Sequence, residues 1–180
     1  LFLEDWVNDV PLIGEGIDVT VVSGTSQGLP VFELDKNEFG DLRRMTVMAG
    51  NGNYGGAIDC NSGELFIKEV RFEYNVAWEG GAIRMVTCTA NFVDVDVVDN
   101  ESSAGGGGVE VTNGELNWTR GVVARNYAGG VGGGIAMDSN TGVLSNLLIH
   151  HNDTFSAGGG IYRSATGEIV ELAHLTVAAN

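Results

Sequence analysis

Gly55-Gly56-Ala57-Ile58, Gly80-Gly81-Ala82-Ile83, Gly106-Gly107-Gly108-Val109, Gly132-Gly133-Gly134-Ile135 and Gly158-Gly159-Gly160-Ile161 are five copies of one phrase, and their last members step by 25, 26, 26 and 26 residues. A second phrase, apolar-x-x-Asn, keeps time with the first: Phe72…Asn75, Val97…Asn100, Val123…Asn126, Ile149…Asn152 and Val177…Asn180. From the small residue to the Asn is 18 residues in the first four copies. The fifth carries two extra residues, which we place in the Arg163–Glu168 turn. A unit this short cannot bury its apolar residues alone, so successive units must stack on one another.

Aligning the copies tests the stack. Cys60, Met85, Val111 and Met137 share one position; Ile67, Phe92, Trp118 and Leu144 share another. Val70, Val95, Gly121 and Leu147 form a third, and Phe72, Val97, Val123 and Ile149 a fourth. Within each unit these positions step by two over short runs, which is strand periodicity. The positions between them carry charge. Asp59, Arg84 and Glu110 share a column, as do Asp94 with Arg120, Arg71 with Asp96, and Asp99 with Arg125. Opposite charges side by side on adjacent coils favour this register over any other. The fold expected is therefore all-β: a single-stranded, right-handed parallel β-helix with coils of 25 or 26 residues.

One domain is expected over 1–180, with degenerate coils in 1–50 and regular repeats in 51–180. In the degenerate part, Ile17–Val22, Val31–Leu34 and Leu42–Met48 read as strands, punctuated by Gly24, Gly28 and Gly40, and Gly50 stands where an Asn is missing. The Asn column (Asn75, Asn100, Asn126, Asn152 and Asn180) suits a side-chain amide ladder, and Asn tolerates left-handed turn conformations. Paired glycines suit corners that a Cβ would oppose.

Composition bounds the function. The 24 acids against nine Lys and Arg give a net charge of −15, which excludes nucleic acid and anionic lipid as partners. Hydrophobic residues at 43% exclude a disordered acidic tail. No apolar run is long enough to span a bilayer. The chain opens on Leu1 and closes on a repeat position, Asn180, and so reads as a mature or excised piece of something longer.

The Gly-Gly-Ala-Ile and Phe-x-x-Asn phrases, most closely in Gly55–Ile58 with Phe72–Asn75 and in Gly80–Ile83, resemble the repeats of the chlamydial polymorphic outer-membrane proteins. The resemblance covers roughly residues 45–180, and later copies depart from it by Gly for Ala and by Val or Ile for Phe. It implies a secreted or surface-exposed β-helical passenger acting in adhesion. The phrases themselves are structural, so they carry fold further than function.

Each candidate site has a competing structural reading. Asp59 and Glu110, two coils apart, would lie roughly 9–10 Å from one another, which overlaps the spacing of an inverting glycosidase pair. Arg84 between them is expected to hold both carboxylates ionised, leaving no acid. Asp94, Asp96 and Asp99 could offer oxygen ligands to calcium, although arginines occupy the same columns. His150 and His151 are expected on opposite faces of a strand, unable to share a metal, and His174 is isolated. Trp78, Tyr127 and Phe155 follow the Asn column and could stack sugars. Of the sequons at Asn100, Asn117 and Asn152, only Asn117 should be open to a glycan, because the others belong to the ladder. Cys60 and Cys88 sit three columns apart on adjacent coils, roughly 10 Å if extended and beyond the bridging limit of about 7 Å, so free thiols are expected.

The function expected is an extracellular structural or adhesive scaffold, such as an adhesin stalk or fibre subunit. No cofactor is expected, with calcium the one candidate weighed. Its partners would be a host-cell or matrix surface, glycans, or its own copies end to end. The alternatives are a pectate-lyase-like carbohydrate-active enzyme and a non-catalytic glycan-binding module.

Overall fold

The computed structural model describes residues 10–24, 27–164 and 170–180. Among them every regular element is a strand, and the strands make three parallel sheets that run the length of the molecule. Each regular coil contributes one strand to each sheet. In the coil around Ile83 these are Val76–Ala77, Ile83–Val86 and Thr89–Val98, of two, four and ten residues. The four-residue and two-residue sheets each hold six strands among the described residues. The chain is a parallel β-solenoid.

The register is the one the columns require. Ile83 pairs with Ile58 on one side and Val109 on the other, and Phe92 pairs with Ile67 and Trp118. The shift stays at 26 through Asp138 and Ser164 but becomes 28 at Gly142 and Val170. The two extra residues of the fifth repeat therefore fall between Ser164 and Val170, where residues 165–169 lie outside the described residues.

Inward columns fuse into one apolar core that includes Leu34, Leu42, Ile67, Phe92, Trp118 and Leu144, all essentially inaccessible to solvent. Phe92 and Trp118 meet edge to face at 5.4 Å. Gly121, the one glycine in its core column, explains how Trp118 fits. A Cβ there would lie 3.0 Å from the indole nitrogen and 1.9 Å from the Val95 carbonyl oxygen.

Four left-handed corners shape each regular coil, and only one requires glycine. In the coil that begins at Gly55, positive φ values occur at Gly55, Ser62, Glu69 and Tyr74. The equivalents of Glu69 are Arg44, Asp94, Arg120, Asn146 and His174; those of Tyr74 are Ala49, Asp99, Arg125, His151 and Ala179. The left-handed residue thus precedes the ladder Asn, and the Asn itself is not the turn residue, contrary to expectation. At Gly55 a Cβ would meet the Ile58 carbonyl oxygen at 1.8 Å, so no side chain fits. The second glycine of the pair answers to a different constraint: a Cβ on Gly81 would sit 2.1 Å from the Gly107 carbonyl oxygen of the next coil.

The Asn column is a continuous ladder. Asn100 donates from both its backbone and its side-chain amide to Asn126 Oδ1, each at 3.0 Å, and its side chain also donates to the carbonyls of Phe72 and Val98. Asn75, Asn126 and Asn152 repeat the arrangement, with Asn180 accepting from Asn152 at 2.9 Å. Asn75, Asn100, Asn126 and Asn152 are at most 1% exposed, so a buried polar column is satisfied entirely from within. Gly50, lacking the amide, donates only its backbone N–H to Asn75 Oδ1.

Two expectations are corrected by the fold. Cys60 and Cys88 form a disulfide, with their α-carbons 6.3 Å apart. The extended-chain distance fails because Thr87, at φ 57°, turns the backbone immediately before Cys88. Gly63 adjoins the bridge, donates its N–H to Cys88 Sγ at 3.2 Å, and has no side chain to obstruct it. In the degenerate part, the strands among the described residues are Leu12–Ile13, Val21–Ser23, Gln27–Gly28, Phe32–Asp35 and Phe39–Met48, while Ile17–Val19 forms a turn closed by Thr20 N–H on the Gly16 carbonyl. Gly40 lies within its strand and does not end one.

Candidate functional site

Outward positions of the four-residue sheet bring Glu33, Asp59, Arg84, Glu110, Ala136 and Tyr162 into one column by register. Three acids thus face one base. Arg84 donates to Asp59 Oδ1 at 3.1 Å and to Glu79 Oε2 at 3.2 Å, and its guanidinium lies 4.3 Å over the Tyr54 ring. Those contacts turn it toward the earlier coil. Burial pushes the Asp59 carboxyl up, with the Arg84 hydrogen bond opposing it. Glu33 is raised too, by burial first and then by Asp35, Asp59 and Glu38.

Glu110 is the outlier. Its Oε2 is inaccessible and has no hydrogen-bond partner. Burial, then the charge of Glu79, pushes its carboxyl up to about 7, against the opposing charge of Arg84 and the Gly80 amide. The expectation that Arg84 keeps both Asp59 and Glu110 ionised is therefore corrected: the arginine turns to Asp59 and Glu79, and Glu110 is left able to carry a proton near neutrality. It borders a depression of about 260 Å³ that Asp138, Tyr162 and Ser164 also line. Asp138 stands two residues past Ala136, the register partner of Glu110.

The long sheet treats its carboxylates differently. Asp94 receives two hydrogen bonds from Arg120, at 2.7 and 2.8 Å, and Asp99 receives two from Arg125, at 2.8 and 2.7 Å. Asp96 pairs with Arg71 at 3.7 Å and accepts the Val122 N–H at 3.0 Å. The three calcium candidates are each engaged by a different arginine. Among the described residues no group of three or more His, Cys, Asp or Glu side chains converges to hold a metal ion.

The remaining candidates fall at separate places. Asn117 points outward beside the inward Trp118, half-buried, donating to Glu115 Oε1 at 2.7 Å and accepting from Val143 N–H at 3.2 Å. Trp78, Tyr127 and Phe155 are exposed, Phe155 the most at 85%. Tyr127 pairs in register with Asp153, two residues before Phe155, whereas Trp78 lies two coils below Tyr127; acidic Glu101 stands between Val76 and Tyr127 in that column. The three aromatics are not a continuous ridge. An open polar groove of about 720 Å³ runs over the corner at Ser62 and Thr87, lined also by Asn37, Glu38, Glu64 and Thr89. Besides the state of Glu110, two features escape the sequence, the disulfide at this corner and the meeting of His150 with His151. Their Nδ1 atoms lie 2.7 Å apart. The expectation of opposite faces fails because His151 occupies a left-handed corner, where strand alternation stops.

Comparison with protein-family models, with curated proteins and with solved structures gives no match. The likeness to the chlamydial repeats rests on the phrases themselves.

Proposed function

We propose that this chain is an extracellular β-solenoid scaffold, structural or adhesive in role, secreted or held at a cell surface. The observation that carries the reading is where its polar groups go. The buried amides and the paired charges of the long sheet join one coil to the next, so the surface chemistry serves axial cohesion. The Cys60–Cys88 disulfide supports an oxidising compartment. Partners of such a scaffold are a host-cell or matrix surface, surface glycans, or further copies of itself. In a eukaryotic secretory pathway Asn117 is the sequon open to sugar, and peptide mapping of the secreted protein checks it.

A second reading has one specific observation in its favour. Glu110, raised to about 7, borders a depression that Asp138 also lines, and the two would supply a proton donor and a second carboxylate of the kind a carbohydrate-active enzyme needs. One preparation separates the readings. The untagged chain on beads is tested for retention on glycan and matrix surfaces, and in solution for shortening of acidic polysaccharides. Retention without shortening is the expected result. Shortening that Glu110→Gln abolishes would replace the scaffold reading by the enzyme.

A further inference from the structure

The corner at His151 places two imidazoles at the surface, side by side. His150 is the last residue of the long strand Thr141–His150, and His151 follows at φ 54°. The left-handed turn swings the second ring back toward the first, so the rings meet edge to face with centroids 5.0 Å apart and Nδ1 atoms at 2.7 Å. Without a metal, one imidazole donates a hydrogen bond and the other accepts it. The backbone beneath is held on both sides: Arg125 N–H donates to the His150 carbonyl at 3.3 Å, and His151 N–H donates to the Ala179 carbonyl at 2.9 Å. Side chains on the flanking coils are small. The register partners of His150 are Ala124 and Ala178, and Ala179 stands over His151. The charged neighbour in the His151 column, Arg125, gives its guanidinium to Asp99 on the far side through two hydrogen bonds.

From this geometry we infer that His150 and His151 form a two-nitrogen chelate for a divalent transition-metal ion of the tetragonal class, Cu(II) or Ni(II), with solvent completing the coordination. Neutral imidazole is a good ligand for these ions, and a chelate whose bite is set by the backbone loses little freedom on binding. The bite selects the ion. With metal–nitrogen bonds of about 2.0–2.1 Å, a separation of 2.7 Å subtends roughly 80–85° at the metal. A cis pair in a tetragonal complex needs roughly 2.9 Å and a tetrahedral zinc site roughly 3.3 Å, so the square site asks the smaller displacement; in either, the two Nδ1 atoms that the hydrogen bond now aims at one another must turn to converge on the ion. The order expected is Cu(II) over Ni(II) over Zn(II).

The test uses the whole chain without a purification tag, titrated with each ion by calorimetry. The expected result is one Cu(II) per chain, weakened roughly tenfold or more by His150→Ala or His151→Ala and unchanged by His174→Ala, whose imidazole belongs to a different corner. Electron paramagnetic resonance of the Cu(II) form should show coupling to two nitrogens in the wild type and to fewer in either variant. Both histidines lie at the surface, so the variants should melt within a degree or two of wild type. No stoichiometric Cu(II) binding would overturn the chelate, as would binding that neither variant weakens. Zn(II) bound more tightly than Ni(II) would overturn the geometric selection.

Discussion

Asp94 and Glu110 both stand on strands with coils above and below, Asp94 at a left-handed corner of the long sheet and Glu110 outward on the four-residue sheet, and they meet opposite fates. On the long sheet, the residue 26 positions after Asp94 is Arg120, and its hydrogen bonds hold the Asp94 carboxyl below the usual carboxylate range. On the four-residue sheet, the residue 26 positions before Glu110 is Arg84, but that arginine is held by Asp59 and Glu79, and burial pushes Glu110 up to about 7. Sequence neighbours do not explain the difference. What sets the electrostatics of a side chain here is first how deeply it is buried, and then the residue one coil away and whether a third group has already engaged it.

The core beneath both faces sets the scale of any disturbance. Ile83→Asp would place a carboxylate in the apolar column between Ile58 and Val109, costing several kcal/mol and preventing folding; a cooperative melt in that variant would contradict the inward column. Cys88→Ser opens a loop of 28 residues and should cost about 3.5 kcal/mol. Mass spectrometry of the unreduced wild type should show two protons fewer than the reduced form, and the variant should melt lower by an amount that reductant does not change.

Glu110→Gln tests the four-residue face directly, with the opposite sign. A glutamate outside the fold titrates near 4.5, so between there and about 7 the folded chain holds a proton that the unfolded chain has released. Stability falls as pH rises through that window and stays reduced above it. The variant should gain on the order of 2 kcal/mol over wild type at pH 8 and nothing at pH 4; melting curves across that range check it, and a gain independent of pH would remove the protonation account. The smallest effect belongs to the long sheet. Asp94 is depressed in the fold, so its contribution is present above the ordinary carboxylate range and is lost as pH falls through the lower folded value. Because the pair is exposed, Asp94→Asn should cost under about 1 kcal/mol, and its coupling to Arg120→Gln should shrink in high salt.

The register, the core columns, the ladder and the charge pairs are legible because each depends on spacing alone, and a period of 25 or 26 residues is visible in letters. What escapes lies at the corners. Thr87 and His151 are left-handed without being glycine, and nothing in their side chains announces it. Once a corner intervenes, counting inward and outward positions fails, and the disulfide and the histidine pair are both hidden for that reason. Glu110 escapes for another. Its column is plain in the sequence, but which carboxylate Arg84 takes depends on Glu79, a residue outside that column. The left-handed turn at Gly80 separates Glu79 from the strand and brings it alongside the guanidinium. A column records who stands on the next coil; it does not record what the turn before the strand delivers.

The amide ladder has a direction. Between asparagines, every rung donates toward the later coil and accepts from the earlier one, so each coil shows a donor side and an acceptor side, and the two are complementary. As far as the ladder goes, any coil that carries the Asn can therefore follow any other. A coil duplicated or deleted between two existing ones leaves the amide joints as they were, while the ion pairs and the disulfide, which join particular coils, would change. Length in such an architecture is a trait that can vary in whole steps without redesign of the fold.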